Sequence, residues 1–260
     1  MKRDDVIAHR RYVAVILAGG SGKRTGGGLP KQFWNMAGRS VIERAVDAFE
    51  QNRRVREIVI VSRVDELSMV EELVSKNEWR KVARVVAGGE ERFDSSLAAI
   101  RLYEDPATCL LLHDAARPLV SQRVIDAVMD ALEVHDAVAV GLPVVDTLFR
   151  VAGGEVIEVP ERTSLVRAQT PQAFVLSTIR EAYERALADP CFRATDDCGV
   201  VKRYLPDVRI HVVPGEEANM KLTYPEDIFL LESYLRRQEG VSKVGFRPCD
   251  PRSGKQSSNP

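Results

Sequence analysis

The chain has 260 residues, 45% of them hydrophobic and 29% charged, with a formal net charge of −1. That length suits one α/β domain with a sizeable core. The near-neutral charge excludes a global pull toward nucleic acid or membrane, so an anionic ligand has to be caught by local cations and backbone N–H groups.

The first twelve residues, MKRDDVIAHRRY, are charged and polar, and the VAVILA that follows is too short and badly placed for a signal-peptide core. Tyr12 to Leu17 is an apolar, β-branched run ending in glycines, which suits a buried parallel strand. Ser40 to Asn52 carries Val41, Ile42, Ala45, Val46 and Phe49 at helical spacing. Glu57 to Ser62 reads as a second strand, Leu67 to Ser75 as a helix, and Val82 to Val86 as a third strand. Ser95 to Glu104 reads as a helix, Thr108 to His113 as a fourth strand, Ser121 to Val134 as a helix and Ala137 to Val140 as another strand. This alternation predicts an α/β fold with a mostly parallel central sheet and helices on both faces. In such sheets ligands bind beyond the C-terminal strand ends, here the loops after Leu17, Val86 and His113.

From Asp146 to Thr170 the alternation breaks. Two strand-like runs, Thr147 to Val151 and Glu155 to Val159, flank Ala152-Gly153-Gly154, a β-hairpin signal. The expectation is one domain over 1–237 with a projecting β-arm at about 144–168. An exposed hairpin has to pair or be covered, which points to a homodimer through the arm. Residues 238–260 are polar and rich in Pro, Ser and Gly, which predicts a disordered tail. No apolar run reaches the roughly 18 residues that span a bilayer. Cys109, Cys191, Cys198 and Cys249 form no CxxC pair, so they read as reduced thiols in a cytoplasmic protein.

Four motifs carry chemistry. In Leu17-Ala18-Gly19-Gly20-Ser21-Gly22-Lys23-Arg24, followed by Leu29-Pro30-Lys31-Gln32, a strand feeds a glycine turn whose N–H groups can line a phosphate site. Arg24 and Lys31 supply positive charge for a triphosphate. The dinucleotide fingerprint fails because Thr25 stands where its third glycine belongs. The P-loop pattern fails because Arg24 follows Lys23 and Leu17 stands where the earlier glycine belongs. A plain tight turn remains the competing reading of the glycines alone.

The second motif, Gly88-Gly89-Glu90-Glu91-Arg92-Phe93-Asp94-Ser95-Ser96, opens a helix with Asp94 or Ser95 as the expected N-cap. Its loop reads equally as a cover for a nucleotide. The third is His113-Asp114-Ala115-Ala116-Arg117-Pro118. Asp114 can hold a hydroxyl or a cation and Arg117 can orient phosphate, against the alternative of a simple ion pair. His113 reads as a packed residue. The fourth group is Arg162, Gln169-Thr170-Pro171-Gln172, Thr195-Asp196-Asp197 and Asn219-Met220-Lys221-Leu222-Thr223. Each is weak alone, and a Thr-Asp-Asp run is more often a helix cap. Thr223-x-Pro225-Glu226-Asp227 marks a helix start.

Together the set LAGGSGKR…PKQF, GGEERFDS, HDAARP, DT…ER…AQTPQAF, ATDD and NxKxTxPED resembles the 2-C-methyl-D-erythritol 4-phosphate cytidylyltransferases, from about Val13 to Leu235. The resemblance implies a nucleotidyltransferase, glycosyltransferase-A-like fold and the transfer of CMP from CTP to methylerythritol phosphate, releasing pyrophosphate in non-mevalonate isoprenoid synthesis. It implies catalytic roles for Arg24, Lys31 and Lys221. Nucleotide binding falls to Ala18, Gly19, Gly20, Gly89, Glu90, Ser95 and Asp114. Acceptor binding falls to Arg117, Thr147, Arg162, Thr170 and Thr195, with Thr147 and Arg162 acting in the neighbouring subunit's site. It further implies Mg2+ held mainly by the nucleotide phosphates, with no metal site of the protein's own, and a homodimer. This sequence departs from the family pattern at Thr25, where Met is common, at the flexible-looking Gly26-Gly27-Gly28, and in LAGG for PAAG. A ribitol-5-phosphate cytidylyltransferase is the neighbouring alternative, with HDAARP favouring methylerythritol phosphate. A non-catalytic nucleotide-binding module is the alternative of another class.

Overall fold

A computed structural model describes residues 10–20, 29–194, 196–238 and 240. Arg24, the Gly26–Gly28 loop, Thr195 and the expected tail, apart from Gln238 and Gly240, lie outside the described residues.

In chain order the elements begin with β1 (Tyr12–Leu17), a small hairpin β2 (Asn35–Met36) and β3 (Arg39–Ser40), and helix α1 (Val41–Gln51). Strand β4 (Val55–Ser62), α2 (Leu67–Asn77), β5 (Val82–Ala87) and α3 (Arg92–Ile100) follow. Then come β6 (Cys109–Asp114), α4 (Gln122–Leu132) and β7 (Ala137–Pro143). The second part holds β8 (Arg150–Ala152), β9 (Glu155–Glu158), β10 (Val166–Val175), α5 (Leu176–Leu187), α6 (Asp197–Tyr204), β11 (Ile210–Pro214) and α7 (Asp227–Gln238).

The main sheet has seven strands in the order β11-β7-β10-β6-β1-β4-β5. Strand β10 runs antiparallel to both β6 and β7, while every other pairing in this sheet is parallel. Period-two alternation divides β1 between two cores. Ala14 and Ile16 face a core completed by Ile42, Val46 and Phe49 of α1 and by Val124, Val128 and Leu132 of α4. Val13, Val15 and Leu17 face the other, completed by Ile100 of α3, Ile179 and Tyr183 of α5, and Val200 and Val201 of α6. A third cluster packs Leu231 and Leu235 of α7 on Met36, Val41 and Leu222. Among the described residues no helix is long and apolar enough to cross a membrane.

The expected elements are there, with shifted ends. Ser40 caps α1 through a capping box with Glu43, which fixes that helix where its apolar spacing put it. Helix α3 starts three residues before the predicted Ser95, because its N-cap is Glu91; Asp94 is instead the N3 member of the capping box. Ser95 is therefore buried inside the helix rather than capping it. The hairpin forms as a separate two-stranded sheet, β8-β9, with every strand residue exposed. Its turn uses Gly153 and Gly154 at φ +58 and +85, the left-handed region that favours glycine. Its first strand begins at Arg150, leaving Thr147 outside the ladder.

Candidate functional site

The C-terminal ends of β1 and β6 lie side by side, with Leu17 paired to Asp114, and Ala115 N–H donates to the Leu17 carbonyl at 3.0 Å. The chain leaving β1 as Ala18-Gly19-Gly20 thus emerges beside Asp114. Gln32 of the PKQ motif is buried, and its Nε2 donates both to the Ala18 carbonyl and to Glu66 Oε2, each at 2.9 Å. That ties the short helical turn Lys31–Phe33 to the residue at which the glycine loop starts; Lys31 itself is half-buried. A Cβ on Gly19 would stand 3.0 Å from Ser95 Oγ, and one on Gly88 would strike the same oxygen. Ser95 is therefore a spacer on which two glycine loops rest, and it needs both to be bare.

Past these loops lies a cavity of about 230 Å³. Asp114, Arg117, Thr170 and Lys221, four of the sequence-predicted residues, line it. Arg92, Gln169, Gln172 and Asp196 line it as well and had been given no role. Asp114 is its electrostatic centre. Lys221 Nζ donates to Asp114 Oδ2 at 2.8 Å, Arg92 Nε donates to Oδ1 at 3.1 Å, and Arg117 Nε is 3.8 Å away. Burial alone would raise the Asp114 carboxyl, but Arg92, Lys221 and Arg117 outweigh it and hold the group well below the usual carboxylate range. Arg92 reaches on to Asp197, donating from Nη1 at 2.6 Å. Its guanidinium is pushed up despite burial by the charges of Asp197 and Asp114. Burial lowers Arg117, against the pull of Asp114.

Backbone scaffolding sets these side chains. Arg117 Nη1 donates to the Asn219 carbonyl at 2.8 Å, which ties the loop after β6 to the segment carrying Lys221. Asn219 Nδ2 donates to the Thr170 carbonyl at 2.8 Å, and Leu222 N–H donates to the Ala116 carbonyl at 2.8 Å. Lys221 is thus pinned on both sides. Gln169 exchanges hydrogen bonds with the backbone of Glu216, donating at 2.8 Å and accepting at 3.2 Å, and a Cβ on Gly215 would strike its amide. Thr170 Oγ1 accepts from Asp114 N–H at 3.1 Å and donates to His113 Nδ1 at 3.0 Å. His113 then donates from Nε2 to the Arg117 carbonyl at 3.0 Å. Burial holds its pKa down at about 4, so the ring is neutral. The expectation that His113 is a packed residue is met: it is fully buried against Phe49, with ring centroids 5.1 Å apart.

The other sequence-predicted residues fall elsewhere. Gly89 and Glu90 sit on the exposed rim between β5 and α3. Thr147 and Arg162 are exposed on the hairpin segment and do not line the cavity; Arg162 Nη1 donates to the Val145 carbonyl at 2.9 Å. Asp196 is the cap that a Thr-Asp-Asp run suggests, its Oδ1 accepting from Gly199 N–H at 2.8 Å, and it also lines the cavity. Arg92 escaped notice because it stands among Glu90, Glu91 and Asp94, where a helix-start ion pair explains it equally well. Among the described residues no three His, Cys, Asp or Glu side chains cluster as a metal cage.

Residues 12–237 match the family model described as 2-C-methyl-D-erythritol 4-phosphate cytidylyltransferase. A protein of that name from Thermobifida fusca (strain YX) is 46% identical over 241 residues, 89% of this chain and 97% of the relative. The bifunctional ribulose 5-phosphate reductase/CDP-ribitol pyrophosphorylase Bcs1 of Haemophilus influenzae is 38% identical over 244 residues, 92% of this chain and 51% of the relative. A crystal structure of 4-diphosphocytidyl-2C-methyl-D-erythritol synthase from Anaerococcus prevotii DSM 20548 superposes with a TM-score of 0.78 at 29% identity, covering 88% of this chain and 99% of that one.

Proposed function

The chain belongs to the 2-C-methyl-D-erythritol 4-phosphate cytidylyltransferase family, and from that premise we propose how its residues carry out the family's reaction. It transfers CMP from CTP to 2-C-methyl-D-erythritol 4-phosphate, giving CDP-methylerythritol and pyrophosphate in isoprenoid biosynthesis. The observation that supports this reading at the level of residues is the cavity in which Arg92, Arg117 and Lys221 surround the ionised Asp114, at the strand end paired with Leu17 before the glycine loop.

The acceptor's phosphate oxygen attacks the α-phosphorus of CTP. One P–O bond forms, the α–β bridging P–O bond breaks, and its electron pair leaves with pyrophosphate. Both reactants are anions, so the chief tasks are holding them together and stabilising the added charge. Lys31, with Arg24, takes the triphosphate and the charge growing on the leaving group. Ala18, Gly19 and Gly20 offer backbone N–H groups to the phosphates, and Gly89, Glu90 and Ser95 shape the pocket for cytosine and ribose. Asp114 accepts from a sugar hydroxyl while holding Lys221, whose ammonium bridges the attacking phosphate and the α-phosphate. Arg117, Thr170 and Thr195 receive the acceptor. No covalent intermediate is needed: among the described residues no Ser, Cys or His lines the cavity, and the Thr170 hydroxyl is already engaged.

Mg2+ enters with the nucleotide. Of the carboxylates lining the cavity, Asp114 has both oxygens bonded to cations and Asp196 accepts at both of its own, so their bonding fits an ion carried mainly by the phosphates. When bound, it neutralises charge on the triphosphate. The hairpin exposes Phe149, Val151, Val156, Ile157 and Val159, an apolar surface suited to a second copy of the chain. In the homodimer read from it, Thr147 and Arg162 complete the partner's acceptor site. The domain is read as 1–237, with 238–260 as a separate tail, and the free thiols Cys109, Cys191 and Cys198 suit the cytoplasm.

The test is pyrophosphate release from CTP with methylerythritol phosphate and with ribitol 5-phosphate side by side. Preference for the first is expected. Preference for the second would move the chain to the chemistry of the Haemophilus relative, and CTP binding without release by either acceptor would make it a binding module.

A further inference from the structure

Two buried polar groups stand behind the cavity without lining it. Asp197, at the first turn of α6, is wholly buried, and Tyr183 of α5 is 1% exposed. Tyr183 Oη donates to Asp197 Oδ1 at 2.7 Å, and Asp197 Oδ2 accepts from Arg92 Nη1 at 2.6 Å. Through Arg92 Nε and Asp114 the line continues to Lys221.

A buried carboxylate is a poor way to join two helices, since apolar side chains of similar volume do so at least as well. Helices α5 and α6 already pack through Ile179, Tyr183, Val200 and Val201. What Asp197 adds is a direction for Arg92. A guanidinium facing one carboxylate tends to take both its oxygens in a two-pronged fork. Asp197 instead anchors Nη1, which sets the tilt of the guanidinium: Nε reaches Oδ1 of Asp114, Nη2 makes no hydrogen bond, and Oδ2 is left to Lys221. Asp197 is itself held to the sheet. Its N–H and that of Cys198 donate to Gln172 Oε1 of β10 at 3.1 and 3.0 Å.

We propose that Asp197 and Tyr183 are positioning residues for cytidylyl transfer, orienting Arg92 so that Asp114 holds the Lys221 ammonium at the reacting phosphates. This rests on the role given above to Lys221. Neither residue touches substrate.

The test is a double-mutant cycle on kcat, counted per folded site by CTP binding. Asp197→Asn and Tyr183→Phe are each made in the wild-type and Lys221→Ala backgrounds. Asp197→Asn should lower kcat about tenfold or more, and Tyr183→Phe about threefold, with the KM for CTP changed less than about twofold. In the Lys221→Ala background each should cost less than about twofold, because the group they position is gone. Equal losses in both backgrounds would make the pair merely structural and overturn the proposal, as would normal kcat in the single variants. If Asp197→Asn does not fold, Tyr183→Phe carries the cycle. Wild-type turnover in Lys221→Ala alone would overturn the reading of the site itself, and the proposal with it, before any coupling is measured.

Discussion

Lys221 Nζ stands 2.8 Å from Asp114 Oδ2, joining positions 107 residues apart in the chain at the mouth of one cavity. The pair holds an ammonium in the cavity proposed above to receive the phosphates. An incoming anion finds the cation already placed, so little reorganisation is needed at the moment of reaction.

Removing that cation, or Lys31 of the PKQ motif, should therefore cost turnover rather than fold. Lys221→Ala and Lys31→Ala should each lower kcat by about 10²–10³, the usual loss for one charge-stabilising donor. Melting temperatures should stay within a few degrees, since Arg92 and Arg117 still face Asp114. Steady-state kinetics with scanning calorimetry checks both halves, and near-normal kcat in either variant refutes its assigned role.

Asp114→Asn should cost fold as well as turnover. It strips the common partner from Arg92, Lys221 and Arg117, three cations gathered around one buried group. Breaking a buried ionic arrangement from one side costs about 3–5 kcal/mol. Urea denaturation should show a loss of that order along with lost turnover. A fully stable variant would mean that solvent already screens these charges.

The parallel half of the fold was legible because its strands are apolar on both faces, as in β1, β4 and β6, and end in glycines or polar loops. Strand β10, the one antiparallel member, was not legible. Its centre holds Gln169, Thr170 and Gln172, polar residues that are nonetheless buried. They sit inside because each bonds a backbone segment at or behind the site: Glu216, the end of β6 at Asp114 and the start of α6 at Asp197 respectively. The same cause hid Arg92, whose partner Asp197 is 105 residues away. Motif order put Asp114, Arg117, Thr170 and Lys221 on the cavity, but ion pairs set by tertiary folding leave no local pattern.

The glycine before the GGEERFDS helix offers a packing test independent of catalysis. Gly88→Ala pushes a methyl onto Ser95 Oγ and to 3.1 Å from Val61 Cγ1. Overpacking of this kind costs about 1–3 kcal/mol. Adding Ser95→Ala removes the nearest clash and should recover part of the loss, with Val61 Cγ1 and the remaining Cβ of residue 95, 3.1 and 3.2 Å away, accounting for the rest. Denaturation of the two single variants and the double variant measures the coupling, and strict additivity would contradict the contact.

His113 gives the protein an acid-sensitive step. Its folded pKa, held down at about 4 by burial, lies below its ordinary 6.5. The stability due to keeping it neutral is present above about pH 6.5 and is lost as pH falls toward about 4, by roughly 3 kcal/mol in all. Glu43 acts in a separate window. Burial alone would raise it, but hydrogen bonds from Ser40 and Asn77 and the charge of Lys76 bring it to about 2 from 4.5. Its contribution is thus lost only below about pH 4.5. His113→Gln should lower stability at neutral pH and flatten its decline between about pH 6.5 and 4, as read by urea midpoints across pH. An unchanged slope would assign the decline to other groups.

The shared site makes the sharpest test, because it predicts activity from two inactive proteins. In the proposed homodimer, Lys221 comes from one subunit and Arg162 from the partner's hairpin. Lys221→Ala and Arg162→Ala homodimers should each be nearly inactive. Unfolded and refolded together in equal amounts, they form mixed dimers as about half of the population by random pairing. In each mixed dimer one site receives both defects. The other pairs an intact Lys221 with an intact Arg162, so the mixture should regain about a quarter of wild-type turnover. A chain that used its own Arg162 would regain nothing. Phe149→Asp with Ile157→Asp, placed on the exposed apolar strip of the hairpin, should abolish the recovery together with the dimer.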